Sequence, residues 1–403
     1  MTAAARCDTV VVGAGIVGLA VARELLLRRA AGSVTVVDRA DRVGAHQTSH
    51  NSGVIHAGVY YTPGSLKAQL CVEGAARMYD YCDQRGIDAP RIGKLIIARH
   101  ASEVPALDEL ERRARCNGVQ GIRRLDTAGI RAIEPHATGV AALHSPNTGI
   151  VDFRAVCERL ADDTRDAGGT LRLGWDVTDV SAGSRSIRLQ AREGEAIEAG
   201  RAIFCAGLWA DRLAVRAGAP KEPRIVPFRG GYLRLRPDRR QLVHGLIYPV
   251  PDPALPFLGI HLTPRVDGEV LLGPSALMVG ARDAYRLSRV QARDLFDTLA
   301  WPGTWRMATH WWRTGLHELR MAMSRGAFAA QAASYVPALT AADLEPAFGG
   351  VRAQAVGRDG RLTDDFVLSS TPRAIHVRNA PSPAATSSLA LASRIVDIAE
   401  KEL

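Results

Sequence analysis

The run Gly13-Ala14-Gly15-Ile16-Val17-Gly18 sits between the β-branched stretch Thr9-Val10-Val11-Val12 and an apolar segment over residues 19–29. That placement constrains the fold more than any other feature. A continuous β-branched run predicts a buried parallel strand. A segment apolar almost all round predicts a buried helix, with Arg28 and Arg29 at the end where its dipole favours cations. Residues 33–37 predict a second strand ending at Asp38, which completes one β-α-β unit. Gly13 permits the tight turn, Gly15 lets a pyrophosphate approach the backbone, and Gly18 lets helix and strand pack closely. The helix start at Ile16 and Val17 offers N–H groups and positive potential to phosphates. Asp38 can accept bonds from ribose hydroxyls and would repel a 2′-phosphate, so NADP is disfavoured. Arg39 follows it as a further candidate for the dinucleotide site.

The remaining chain alternates helical and strand-like segments without internal repeats. Helices are expected over residues 65–85, 102–116, 151–167 and 386–403, and through most of 282–324. Strands are expected over 94–98, 170–180, 186–191, 201–205, 227–236, 374–377 and within 246–272. The fold class is therefore α/β: a discontinuous Rossmann-like dinucleotide domain with an α+β substrate domain. The first is expected from 1–90, 141–220 and 341–403, the second from 91–140 and 221–340, with substrate between them.

The choice between NAD and FAD needs other segments. Ala206-Gly207-Leu208-Trp209 follows an apolar strand and can approach the dinucleotide from a second side. Near the end, Asn379-Ala380-Pro381-Ser382-Pro383-Ala384-Ala385-Thr386 is a small-residue loop leading into a helix. Such a helix start could stabilise charge on a reduced flavin, or could simply be a well-capped terminal helix; physics alone does not choose. Residues 46–61 hold His46, His50, His56, Asn51, Tyr60 and Tyr61. Such a cluster, directly after the ribose-binding strand, points to a general base. Thr48, Ser49, Asn51, Ser52 and Gly53 are candidates to touch the cofactor, as is Val177. His46 and His50 lack a third metal ligand, so no metal is expected.

Bulk properties narrow the class. The 403 residues are 47% hydrophobic and 23% charged, ordinary for a globular protein. The net charge of +9 comes largely from scattered arginines with no basic block. This reads most simply as a basic surface; attraction to anionic substrates or an anionic membrane face is the sharper reading. Nucleic-acid binding has no motif behind it. Six cysteines without a C-x-x-C pair read as core residues in a reducing compartment. With no signal peptide and no long apolar run, a cytoplasmic protein is expected, with peripheral contact at the inner face of the cell membrane left open.

On Gly13–Gly18, Asp38 and Ala206–Trp209 the chain resembles the D-amino-acid-oxidase-like FAD oxidoreductases, a group with glycine oxidase, sarcosine oxidase and glycerol-3-phosphate dehydrogenase. Within it, HQTSHNSGVIHAGVYYTPGSLKAQLC, PFRGGY, LIYPVPDPALPFLGIHLT, GVRAQAV and NAPSPAATS resemble the L-2-hydroxyglutarate dehydrogenase/oxidase family. The resemblance spans essentially the whole chain and is thinnest over residues 281–340. It implies FAD, oxidation of L-2-hydroxyglutarate to 2-oxoglutarate, and onward transfer of electrons to a membrane quinone or to oxygen. It implies a hydride passed to flavin and a proton taken from the hydroxyl, with His56 the expected acceptor. A dianionic substrate needs cationic or hydroxyl partners. Arg352, which also stands as a cofactor candidate, and Arg229 are the first candidates; Tyr60, Tyr61, Lys67, Tyr248 and His261 follow. An FAD amine or amino-acid oxidase, a non-catalytic flavin-binding protein and a plain NAD-dependent dehydrogenase are the competing readings.

Overall fold

The computed structural model describes residues 4–252 and 258–402. Residues 253–257, part of the expected strand-rich stretch 246–272 and of the quoted family string there, lie outside the described residues. Two large sheets organise the rest.

The first sheet grows from the opening β-α-β unit. Ala5–Val12 lies parallel between Ala196–Phe204 and Val34–Val37, and Ala374–Asn379 and Thr170–Arg172 extend the parallel core on either side. Successive residues of the first strand point to opposite faces. Val11 packs beneath the helices Ile16–Leu27, Leu66–Gln84, Phe153–Asp166 and Ser388–Glu402. Val10 and Val12 pack on the other side, beneath an antiparallel meander over Val177–Ala182, Ile187–Ala191 and the start of Ala196–Phe204. Both faces are covered, which is why the run Val10-Val11-Val12 is apolar at successive positions.

The second sheet is mostly antiparallel. Its backbone is the long pair Arg224–Leu235 and Leu344–Val356. Leu246–Pro249 then pairs with Lys94–Ala98, which pairs with Ala141–Ser145. These last pairings move the expected domain borders. Ala141–Ser145 and Leu344–Val356, placed by sequence in the dinucleotide domain, hydrogen-bond into the second sheet instead. Their runs are rich in alanine and glycine and carry little strand signal of their own. The segment 282–324 is helical only from Ala292 onward, as Ala292–Leu299, Pro302–His310 and Trp312–Met323.

Candidate active site

The first strand ends in a turn that only glycine can make here. Gly13 adopts φ +116°, and a Cβ on it would run into the Cys205 carbonyl. A Cβ on Gly18 would strike the Gly13 carbonyl, so helix and strand could not close to this spacing. At Gly15 the nearest atom to such a Cβ is Thr48 Oγ1 at 3.4 Å, so the backbone there faces open space. The Ile16 N–H donates to Thr48 Oγ1 at 3.1 Å, which fixes the loop 46–53 against the helix start. Asp38 accepts from the Ala14 N–H at 2.6 Å and the Ala40 N–H at 2.8 Å. It therefore shapes the turn, while a carboxylate keeps further lone pairs for hydroxyls.

A cavity of about 1470 Å³ begins at this turn and runs between the two sheets. Gly15, Val17, Asp38 and Arg39 line its first part, with Arg39 stacked 4.3 Å over the Trp209 ring. Val177, Ala206 and Gly207 line it as well. Asn51 and Ser52 form part of the wall, and Pro383, Ala384, Ala385 and Thr386 close it further along. Three expected cofactor residues stand outside the wall: Gly18, which serves the close packing of helix on strand, and two in the loop 46–53. Ser49 donates its hydroxyl to the Gly44 carbonyl at 2.7 Å. Gly53 holds φ +75° and takes the Asn51 side-chain carbonyl on its N–H at 2.8 Å. Both serve the shape of the loop. His46 and His50 turn to Tyr285: His46 Nδ1 lies 3.1 Å from its hydroxyl and the His50 ring stacks on it at 4.0 Å.

The far end of the cavity is a wall of His56, Tyr60, Tyr61, Tyr232, Tyr248, His261 and Arg352. His56 is held at its backbone, where its N–H donates to Thr386 Oγ1 at 3.1 Å and its carbonyl accepts from the Cys71 thiol at 3.3 Å. Its Nδ1 has no partner, and the buried hydroxyls of Tyr60 and Tyr248 have none either. Unsatisfied polar atoms on three residues of one cavity wall mark a place for a polar ligand. Burial holds the His56 imidazole well below its ordinary range, and Lys94, His261 and Lys67 press the same way. His261 is held down by burial, Lys94 and Arg352. Its ring stacks on Tyr248 at 4.0 Å. Burial pushes the hydroxyls of Tyr60 and Tyr61 well up.

Two expected substrate cations behave differently from Arg352. Arg352 stands opposite Phe228 in the sheet register, so Arg229, one residue on, points to the other face. There it donates to the Tyr285 carbonyl at 3.1 Å and lies outside the cavity wall. Lys67 lines the cavity, but its ammonium is paired with Asp364 at 2.7 Å. Sequence reading missed Tyr232, Tyr285 and Lys94. Lys94 opens an apolar strand, a position that ordinarily reads as surface.

A family model described as FAD dependent oxidoreductase matches residues 8–398. The chain belongs to the FAD-dependent oxidoreductase family. Curated relatives within reach are named L-2-hydroxyglutarate dehydrogenase. The mitochondrial protein of Nematostella vectensis is 46% identical, covering 97% of this chain and 90% of its own length. The human mitochondrial protein is 43% identical over 97% and 88%, and that of Indibacter alkaliphilus 39% over 98% and 99%. The fold also matches L-alpha-glycerophosphate oxidase from Mycoplasma pneumoniae with FAD bound, at TM-score 0.79 and 21% identity over 98% and 94% of the two chains. FAD is thus the cofactor of this oxidoreductase, which excludes a plain NAD dehydrogenase. The residues fit it: the side-chain-free turn at Gly13 and Gly15, Asp38 for ribose, and a cavity long enough to reach the His56 wall.

Proposed function

We propose that this oxidoreductase converts L-2-hydroxyglutarate to 2-oxoglutarate, with His56 as the proton acceptor. The observation that carries this reading is the unpartnered His56 Nδ1 beside two unpartnered tyrosine hydroxyls in the cavity wall. Oxidation of the alcohol removes a hydride from C2 and a proton from its hydroxyl, leaving the ketone. Bound FAD supplies the hydride acceptor. His56 is neutral at ordinary pH because burial opposes its charged form, so it can take the proton. Arg352 gives one carboxylate a guanidinium partner. Tyr60 and Tyr248 give hydroxyl donors to the rest. An amine oxidase of the same family would need no such base. Anaerobic mixing of the purified protein with L-2-hydroxyglutarate tests the reading: flavin absorbance at its long-wavelength band is expected to bleach. Bleaching by amino acids alone would overturn it.

For the electron acceptor the reading is a membrane quinone, met by a cytoplasmic protein touching the inner face of the membrane. Three consecutive helices support it. Phe296, Trp305, Trp312, Leu316 and Met323 are exposed along Ala292–Leu299, Pro302–His310 and Trp312–Met323. Arg293, Arg306, Arg313 and Arg320 are exposed among them. Apolar and aromatic side chains ringed by arginine suit an anionic lipid surface. Among the described residues no helix is long and apolar enough to cross a membrane. Oxygen is the competing acceptor.

A further inference from the structure

We infer that Lys94 is a positioning residue for the substrate: its buried ammonium supplies the positive charge that one carboxylate of the dianion meets at the Tyr60–Tyr248 wall. The inference rests on the reading of a dicarboxylate substrate and adds to it a group that neither motif nor cavity lining had marked.

Lys94 is 2% exposed at the start of the strand Lys94–Ala98. Its Nζ lies 4.2 Å from the Tyr248 ring centroid and 5.2 Å from that of Tyr60. Among the described residues no carboxylate lies within 4.0 Å of it. Burying an ammonium without a counter-ion is expensive, and two aromatic faces offset only part of that. An anion arriving in the adjoining cavity would supply the missing charge. The surrounding elements offer none of their own. The loop before the helix brings His56, Tyr60 and Tyr61, and the helix Leu66–Gln84 brings Cys71 and Lys67, whose partner is Asp364. The neighbouring strands bring Tyr248, His261 and Arg352.

These neighbours leave Lys94 as the group that titrates near neutrality. Burial lowers Lys94 to about 7. His56 and His261 are held well below that, Cys71 is pushed up to about 12, and burial pushes the tyrosines up. A dianion prefers the protonated lysine. Its binding above pH 7 must therefore take up a proton, and affinity falls by up to about tenfold per pH unit.

Isothermal titration of the FAD-loaded protein with glutarate, a redox-inert dicarboxylate, from pH 6.5 to 9 tests this. The unmutated protein is expected to lose affinity as pH rises. Lys94→Met is expected to bind roughly 30-fold or more weakly at pH 6.5, with a flat pH profile. Lys94→Arg, always charged, is expected to bind tightly with a flat profile. Unmutated affinity and slope in Lys94→Met would overturn the inference. Should that variant lose its flavin, Lys94→Arg decides alone: a flat profile supports, an unchanged slope overturns. Flavin bleaching by L-2-hydroxyglutarate in the unmutated protein judges the substrate reading separately.

Discussion

His56 is held at its backbone from two sides, by Thr386 on its N–H and by Cys71 on its carbonyl, while its ring borders the cavity. His56→Ala removes the proposed acceptor and leaves the loop's other bonds. It is expected to keep FAD and to lower flavin reduction by about 10²- to 10⁴-fold in stopped-flow traces. Because burial and nearby cations hold the imidazole low, the acid limb of kcat/KM is expected below the ordinary histidine range. A limb at or above that range would assign the base elsewhere. Gly18→Ala drives a Cβ into the Gly13 carbonyl. It is expected to destabilise by about 1–3 kcal/mol and to release FAD, read by melting temperature and by flavin content after dialysis. At this scale the glycine turn was legible, because turn geometry belongs to the residue itself, and the cavity wall holds His56 where the polar run 46–61 had pointed. Arg229 was not. Its type suits a carboxylate, but the pairing of Phe228 with Arg352 turns it to the wrong face.

Where two elements meet, a buried ion pair joins the two halves of the molecule beside the apolar contacts of Leu208 with Val279, Ala281, Ala284 and Val351. Asp211, in the helix Ala210–Arg216 of the first half, forms a fully buried pair with Arg282 of the second, with one contact at 2.9 Å. Arg224 adds a third member at 3.4 Å. Burial pushes the Asp211 carboxyl up, but Arg282, Arg224 and the Ile225 N–H together pull it below its ordinary value. The sign follows: this carboxylate contributes stability above the unfolded value near 3.8, lost as pH falls through its lower folded value. Arg282→Met strands a buried charge and is expected to destabilise by about 3–5 kcal/mol in urea titration. Asp211→Leu combined with Arg282→Met is expected to recover most of that loss; a purely additive double variant would argue against pairing. Neither residue stood out in the sequence, since they lie 71 positions apart. The strands Ala141–Ser145 and Leu344–Val356 were hidden for a related reason. Alanine and glycine have weak strand preference, and their partners decide their state.

For the whole molecule, the exposed helical face of residues 292–323 carries the acceptor question. Phe296→Asp with Trp312→Asp is expected to leave reduction of a soluble dye unchanged and to abolish co-sedimentation with anionic vesicles and quinone reduction within them. Retained sedimentation, or hydrogen peroxide formed in step with each turnover, would move the acceptor to oxygen. The quoted strings carried the family, and the opening β-α-β unit carried the parallel core. A run apolar at successive positions, as Val10-Val11-Val12 is, has to be covered on both faces, and a turn of Gly13, Gly15 and Gly18 has to face a backbone or a phosphate. Those are local demands, so the sequence by itself determined them. Tertiary structure alone decided which cations face the cavity. Arg352 enters, Arg229 turns away, Lys67 is taken by Asp364, and Lys94 lies buried beside two tyrosines. The face a strand residue presents depends on its register with a partner far along the chain, and the state of a buried charge depends on which groups that packing brings near.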